Sequence, residues 1–239
     1  MSEIFSVIFI LLPKIKRFEM TNQNIYSIEN KIQNLDSIKN IIFDLGGVLL
    51  NIDIRLTFES FKEMGVERMD DLYKELVNTH FFNDFEKGFI SYPEFRNELR
   101  KFFHKSLTDE VIDRAWNKML IDFPVNRINM LLQLKNNYRT FLLSNTNEEH
   151  CLIFNKMLTE KYGIKKIEDL FEKAYFSQEI HMRKPDKEIY KYVLDDSKLL
   201  PNETLFIDDV FENIEASAQL GIQSYWLKNG DEVVNLFYC

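Results

Sequence analysis

The sequence predicts an α/β fold: a three-layer, doubly wound parallel sheet carrying an inserted helical cap. Three observations carry this. Short apolar runs alternate with segments of helical period, the pattern of strands and helices taking turns. From about 55 to 122 the alternation stops and only helical patterns occur. The conspicuous polar residues fall just after the apolar runs, where open parallel sheets hold their ligands.

The first run, Ile41-Ile42-Phe43-Asp44-Leu45, is closed by Gly46-Gly47. It reads as a buried parallel strand followed by a tight turn. Three further runs resemble it: Thr140 to Leu143 before Ser144-Asn145, Ala174 to Phe176 before Ser177, and Thr204 to Ile207 before Asp208-Asp209. A fifth, Ile222 to Leu227, follows Gly221. Between them, residues 125–137 place Val125, Ile128, Leu131 and Leu132 on one helical face, and 186–195 do the same with Ile189, Tyr190, Val193 and Leu194.

The cap is read from two helices. Tyr92 to Phe103 carries Phe95, Leu99, Phe102 and Phe103; Thr108 caps a second helix with Val111, Ile112, Ala115, Trp116, Met119 and Leu120 on its apolar face. Phe81-Phe82 and Glu86-Lys87-Gly88 are expected in a loop between cap helices. The expected division is an N-terminal extension over 1–39, a core over 40–54 and 123–239, and a cap over 55–122.

Composition narrows the function classes. With 30 Lys and Arg against 38 Asp and Glu, the net charge of -8 repels a phosphate backbone, so no nucleic-acid partner is expected. Cys151 and Cys239 lack metal-ligand spacing and suit a reducing, cytoplasmic setting, Cys151 as a helix packing residue. Residues 4–12 are apolar but far short of the ~20 a membrane span needs, and Lys14, Lys16 and Arg17 follow them instead of preceding them. Two alternatives stand for residues 1–19: a start-site artefact ahead of Met20, or a short helix that packs or touches a membrane surface. The oligomeric state, monomer or homodimer, is left open.

Asp44 ends the first strand, Ser144 the second, Lys184 follows the third in Met182-Arg183-Lys184-Pro185, and Asp208-Asp209 ends the fourth. Singly, each is an ordinary turn or capping residue. Together, in order, one per strand end, they bring three carboxylates, a hydroxyl and an ammonium to one sheet edge.

This combination resembles the haloacid dehalogenase superfamily, over residues from about 40 to 228. Its four motifs are matched by Asp44-Leu45-Gly46-Gly47-Val48, by Ser144-Asn145-Thr146, by Lys184, and by Asp208-Asp209 with Asn213-Ile214 following. Within the superfamily the chain looks like the bacterial sugar-phosphate phosphatase branch. The resemblance implies a Rossmann-like core and a magnesium-dependent phosphatase of small phosphorylated metabolites, sugar phosphates first among them. It implies Asp44 as nucleophile and an aspartyl-phosphate intermediate. Lys184 would hold nucleophile and phosphate; Ser144, Asn145 and Gly46 would line the phosphate site. Asp44, Asp209, Asp208 and the backbone carbonyl of Gly46 would ligate Mg²⁺, a cation that favours oxygen donors.

One departure matters. Most phosphatases of the superfamily carry a second Asp two residues after the nucleophile, where this chain has Gly46. Acid–base help of that kind is worth about 10²–10⁴-fold. Asp53 either reaches back into the site or is a solvated turn acid. Glu86 either binds sugar hydroxyls or is solvated. His80, His104, His150 and His181 lack catalytic spacing and are assigned no role. A metal-free 2-haloacid dehalogenase and a catalytically weak phosphate-binding protein are the alternatives. Asp208-Asp209 argues against the first, since adjacent acids repel without a cation; intact Asp44, Lys184 and Asp209 argue against the second.

Overall fold

The computed structural model describes residues 37–65, 80–103 and 106–237. The apolar stretch 4–12, Met20, His104 and Cys239 lie outside them. In chain order the elements are β1 (Asn40–Phe43), β2 (Asn51–Ile52), α1 (Ile54–Glu63), α2 (Phe81–Glu86), α3 (Tyr92–Phe103), α4 (Asp109–Trp116) and β3 (Leu120–Asp122). There follow α5 (Val125–Leu134), β4 (Arg139–Ser144), α6 (Glu148–Tyr162), β5 (Lys173–Phe176), α7 (Ser177–Ile180), α8 (Lys187–Ser197), β6 (Thr204–Asp208), α9 (Phe211–Ala218) and β7 (Gln223–Trp226).

Each of the five expected runs forms a strand, and the five pair in parallel in the order β5-β4-β1-β6-β7. The central runs, in β1, β4 and β6, are mostly apolar because the sheet is covered on both faces. Successive side chains alternate sides. Ile41, Phe43, Leu142, Leu205 and Ile207 meet Ile128 and Leu131 of α5 and Phe154 and Leu158 of α6. On the other face Ile42, Phe141, Leu143 and Phe206 meet Ile189, Tyr190 and Val193 of α8 and Ile214 of α9. Two helix layers around one parallel sheet give the doubly wound arrangement. The chain runs outward from β1 through β4 to β5, then crosses to β6 and β7 on the other side of β1, so the switch point lies at the carboxyl end of β1.

The insertion departs from expectation in three places. It is not purely helical: β3 pairs antiparallel with β2, and Asn51 Nδ2 donates to Asp122 Oδ1 at 2.9 Å. Strands of two and three residues are too short to show a period. The helix after Thr108 stops at Trp116, so Met119 and Leu120 lie beyond its apolar face, Leu120 in β3. Phe81 to Glu86 is the helix α2, not a loop. Phe81 and Phe85, one turn apart, stack on Phe95 at 5.4 and 4.0 Å.

Those rings belong to a third cluster of Phe61, Phe81, Phe85, Tyr92, Phe95, Leu99, Phe103, Ile112 and Ala115. Each large side chain so buried is worth ~1.5–3 kcal/mol, which lets the helices hold a core of their own. In the main core the helix expected over 125–137 ends at Leu134 and turns through 135–137.

Candidate active site

Asp44 follows directly on β1, and its backbone N–H still donates to Ile207 O at 2.9 Å, continuing the ladder. That bond sets its side chain beside Asp208, the last residue of β6. Carboxylate oxygens of Asp44, Asp208 and Asp209 lie within 4.8 Å of one another, with Asp209 the least buried of the three. Lys184, 2% exposed, closes the group: its ammonium donates to Asp44 Oδ1 at 2.6 Å and to Asp208 Oδ2 at 2.7 Å. The structure thus brings together four residues from beyond the ends of three strands, with Asp44 and Lys184 lying 140 positions apart.

Lys184 is held by its backbone as well as by its charge. Asn145 Oδ1 accepts from Lys184 N and Asn145 Nδ2 donates to Lys184 O, both at 2.9 Å. Asn145, expected at the phosphate, therefore has its side chain committed to fastening the lysine loop to the loop after β4. Ser177 adds a second tie, accepting from Thr146 N at 3.0 Å and donating to Thr146 O at 3.2 Å. Ser144 is buried, and among the described residues its hydroxyl makes only a 3.5 Å contact with Asn145 O.

Asp208 is saturated. Its Oδ1 accepts from Val210 N and Asn213 Nδ2 at 2.8 and 2.9 Å, and its Oδ2 from Lys184 and, at 3.0 Å, from Asn213. Two carboxylate oxygens offer about four acceptor sites. Asp44 and Asp209 thus keep more of theirs open to a cation.

Electrostatics favour one. Burial, with repulsion from Asp208 and Asp209, outweighs Lys184 and pushes the Asp44 carboxyl up to about 8. Burial and Asp208 push Asp209 up to about 6. Burial lowers the Lys184 ammonium, but Asp208 and Asp44 more than offset it and hold it above its ordinary value. Three acids share one ammonium. A bound cation would bring further positive charge to them, and all-oxygen donors suit Mg²⁺.

Gly47 shapes the same spot. Its φ is +74°, the left-handed region, and a Cβ there would overlap the Asp209 carboxylate. Gly47→Ala is expected to weaken Mg²⁺ binding roughly tenfold or more by displacing Asp209, as disturbed supporting shells do. Thermal unfolding with and without Mg²⁺ checks this: the ion should raise the melting temperature of the native chain more than that of the variant.

Gly46 has a close neighbour. A Cβ there would lie 3.0 Å from Ile52 Cδ1 of β2. The two candidate carboxylates are both engaged elsewhere. Asp53 caps α1, accepts from Arg55 N at 3.0 Å and pairs with the Arg55 guanidinium at 2.6 Å, whose hydrogen bonds hold it below the usual carboxylate range. Glu86 ends α2 and takes Arg183 Nε on Oε2 at 2.7 Å. Around it, Lys87 pairs with Asp186 at 3.1 Å, and His181 bonds Lys87 O at 2.7 Å through Nδ1. The inserted helices therefore rest on the segment that leads into Lys184.

Sequence reasoning missed Ser177, Arg183 and Trp226, whose indole N–H donates to Asp209 O at 3.0 Å. Ser177 shares the after-strand position that marked the others. Nothing in the sequence marks Trp226.

A sheet order with its switch point at Asp44, and acids and a lysine gathered there, define a hydrolase site of the haloacid dehalogenase type. The chain belongs to that family: residues 41–227 match the haloacid dehalogenase-like hydrolase model. It is similar to a D-ribitol-5-phosphate phosphatase of Bacteroides thetaiotaomicron, at 31% identity over 81% of this chain and 93% of the relative. It is 40% identical, with a TM-score of 0.75, to a haloacid dehalogenase-family enzyme of the same organism crystallised with magnesium and inorganic phosphate; 84% of this chain and 99% of that one are covered. A phosphorylated carbohydrates phosphatase of Thermotoga maritima is 23% identical over 77% of this chain and 82% of its own length. Among the described residues no helix is long and apolar enough to cross a membrane.

Proposed function

We propose that this hydrolase is a phosphatase of small phosphorylated sugars and polyols, acting through Asp44 with Mg²⁺ bound. The observation that carries the reading is Lys184, buried and bonded at once to Asp44 and Asp208, beside Asp209. The free oxygen of Asp44 attacks phosphorus while Lys184, on the other oxygen, fixes its direction. Lys184 and the Ser144 hydroxyl donate to the phosphoryl oxygens, where charge develops. The P–O bond to the alcohol breaks, and the leaving oxygen takes its proton from water, since Gly46 bears no carboxyl and Asp53 is tied to Arg55. Water then attacks the aspartyl-phosphate, freeing phosphate and Asp44.

Asp44, Asp209 and the Gly46 carbonyl would hold the ion, with Asp208 chiefly positioning Lys184. Bound there, Mg²⁺ neutralises the acids and the phosphate oxygens. The pairing of β2 with β3, the chain's exit to the inserted helices and its return, supports a division into a core over 40–54 and 123–239 and a cap over 55–122.

A screen of phosphorylated metabolites, with Mg²⁺ and then with chelator, tests the whole reading. Phosphate release from sugar and polyol phosphates that chelator abolishes is expected. Turnover of a 2-haloacid that survives chelator would overturn it in favour of dehalogenation.

A further inference from the structure

We propose that Trp116, Asn117 and His150 form a subsite that recognises hydroxyl groups on the substrate's polyol or sugar portion. This rests on the phosphatase reading above and adds residues outside the four motifs. His150 lies in the first turn of α6, 8% exposed, six residues beyond Ser144. Its ring stacks on Trp116 at the end of α4, centroids 5.3 Å apart and planes 17° from parallel. Asn117, next along the chain, donates through Nδ2 to Glu149 Oε1 at 3.1 Å. Two adjacent residues of the inserted segment thus meet two adjacent residues of the core helix that follows the Ser144 loop.

At that junction three buried polar atoms, Trp116 Nε1, Asn117 Oδ1 and His150 Nε2, have no hydrogen-bond partner among the described residues. A buried donor or acceptor left unmade is costly, and three together point to a ligand that satisfies them. Burial pushes the His150 imidazole down to about 3, so the ring is neutral at ordinary pH.

The indole N–H is a donor, the Asn117 carbonyl an acceptor, and the neutral imidazole nitrogen either one by tautomer. A hydroxyl, which donates and accepts, suits such a set. A second phosphate does not, because it would face the Asn117 oxygen and the Glu149 carboxylate. The aromatic pair offers an apolar flank for the carbon chain. Three extended residues and one helical turn keep His150 within about 15 Å of Ser144.

The test compares kcat/KM for D-ribitol 5-phosphate with that for n-pentyl phosphate, which has the same carbon chain without free hydroxyls. The ratio of the two is expected to fall about tenfold in His150→Phe and in Trp116→Phe, the loss of roughly one hydrogen bond each. Both variants keep an aromatic ring in the stack, and a melting curve for each establishes that it is folded. If the native enzyme prefers the polyol ester and folded variants keep that preference, the subsite is overturned and the phosphatase reading stands. If the native enzyme hydrolyses both esters alike, the polyol reading itself fails and takes the subsite with it.

Discussion

Asp44→Asn removes phosphate release, by about 10⁴-fold or more, as loss of a nucleophile does, while the fold persists. The substitution keeps the side chain's shape but takes away the oxygen charge that attacks phosphorus. It also lifts one of three acids whose oxygens crowd within 4.8 Å. In the metal-free chain the ionised form of Asp44 is disfavoured, its carboxyl pushed up to about 8 by burial first and by Asp208 and Asp209 after it. An uncharged amide therefore leaves metal-free stability unchanged or higher. Lys184 retains Asp208 at 2.7 Å as its partner. Phosphate release and a melting curve on the same sample check the pair of outcomes. Turnover within tenfold of the native chain would remove Asp44 from the role of nucleophile.

Lys184→Met has a different signature, because it damages fold and chemistry together. The ammonium is the cation bonded to both Asp44 and Asp208, all three largely buried. Breaking a buried pair from one side, here Lys184 with Asp208 at 2.7 Å, costs about 3–5 kcal/mol, since its partner is left without compensation. Urea denaturation should show that loss, and Mg²⁺ should recover part of it by supplying positive charge to the same acids. Activity should fall by about 10³-fold with the loss of a donor aimed at the phosphoryl oxygens. Methionine leaves a side chain of similar length, so lost packing contributes little. Unchanged denaturation would mean that Lys184 does not hold the two acids.

The central strands were legible because a strand buried on both faces is apolar along most of its length, as Ile41 to Phe43 and Leu205 to Ile207 are. β2 and β3 were not, since two or three residues carry no period. Phe81 to Glu86 was placed in a loop although Phe81 and Phe85 lie one turn apart; a six-residue helix is marginal alone and forms here against Phe95.

Site residues divide along the same line. Asp44, Ser144, Lys184, Asp208 and Asp209 announce themselves by residue type and by following a strand, which is local information. The double clamp of Asn145 on Lys184, 39 positions apart, and the capture of Glu86 by Arg183, 97 positions apart, belong to contacts that residue type leaves undecided. A carboxylate's role depends on which donor reaches it first. The sequence by itself determined which chemical groups gather at the sheet's carboxyl edge, because strand order and polarity are written in short windows. Only the tertiary structure decided which of them are free to act, because hydrogen bonds and charges act through space between residues far apart in the chain.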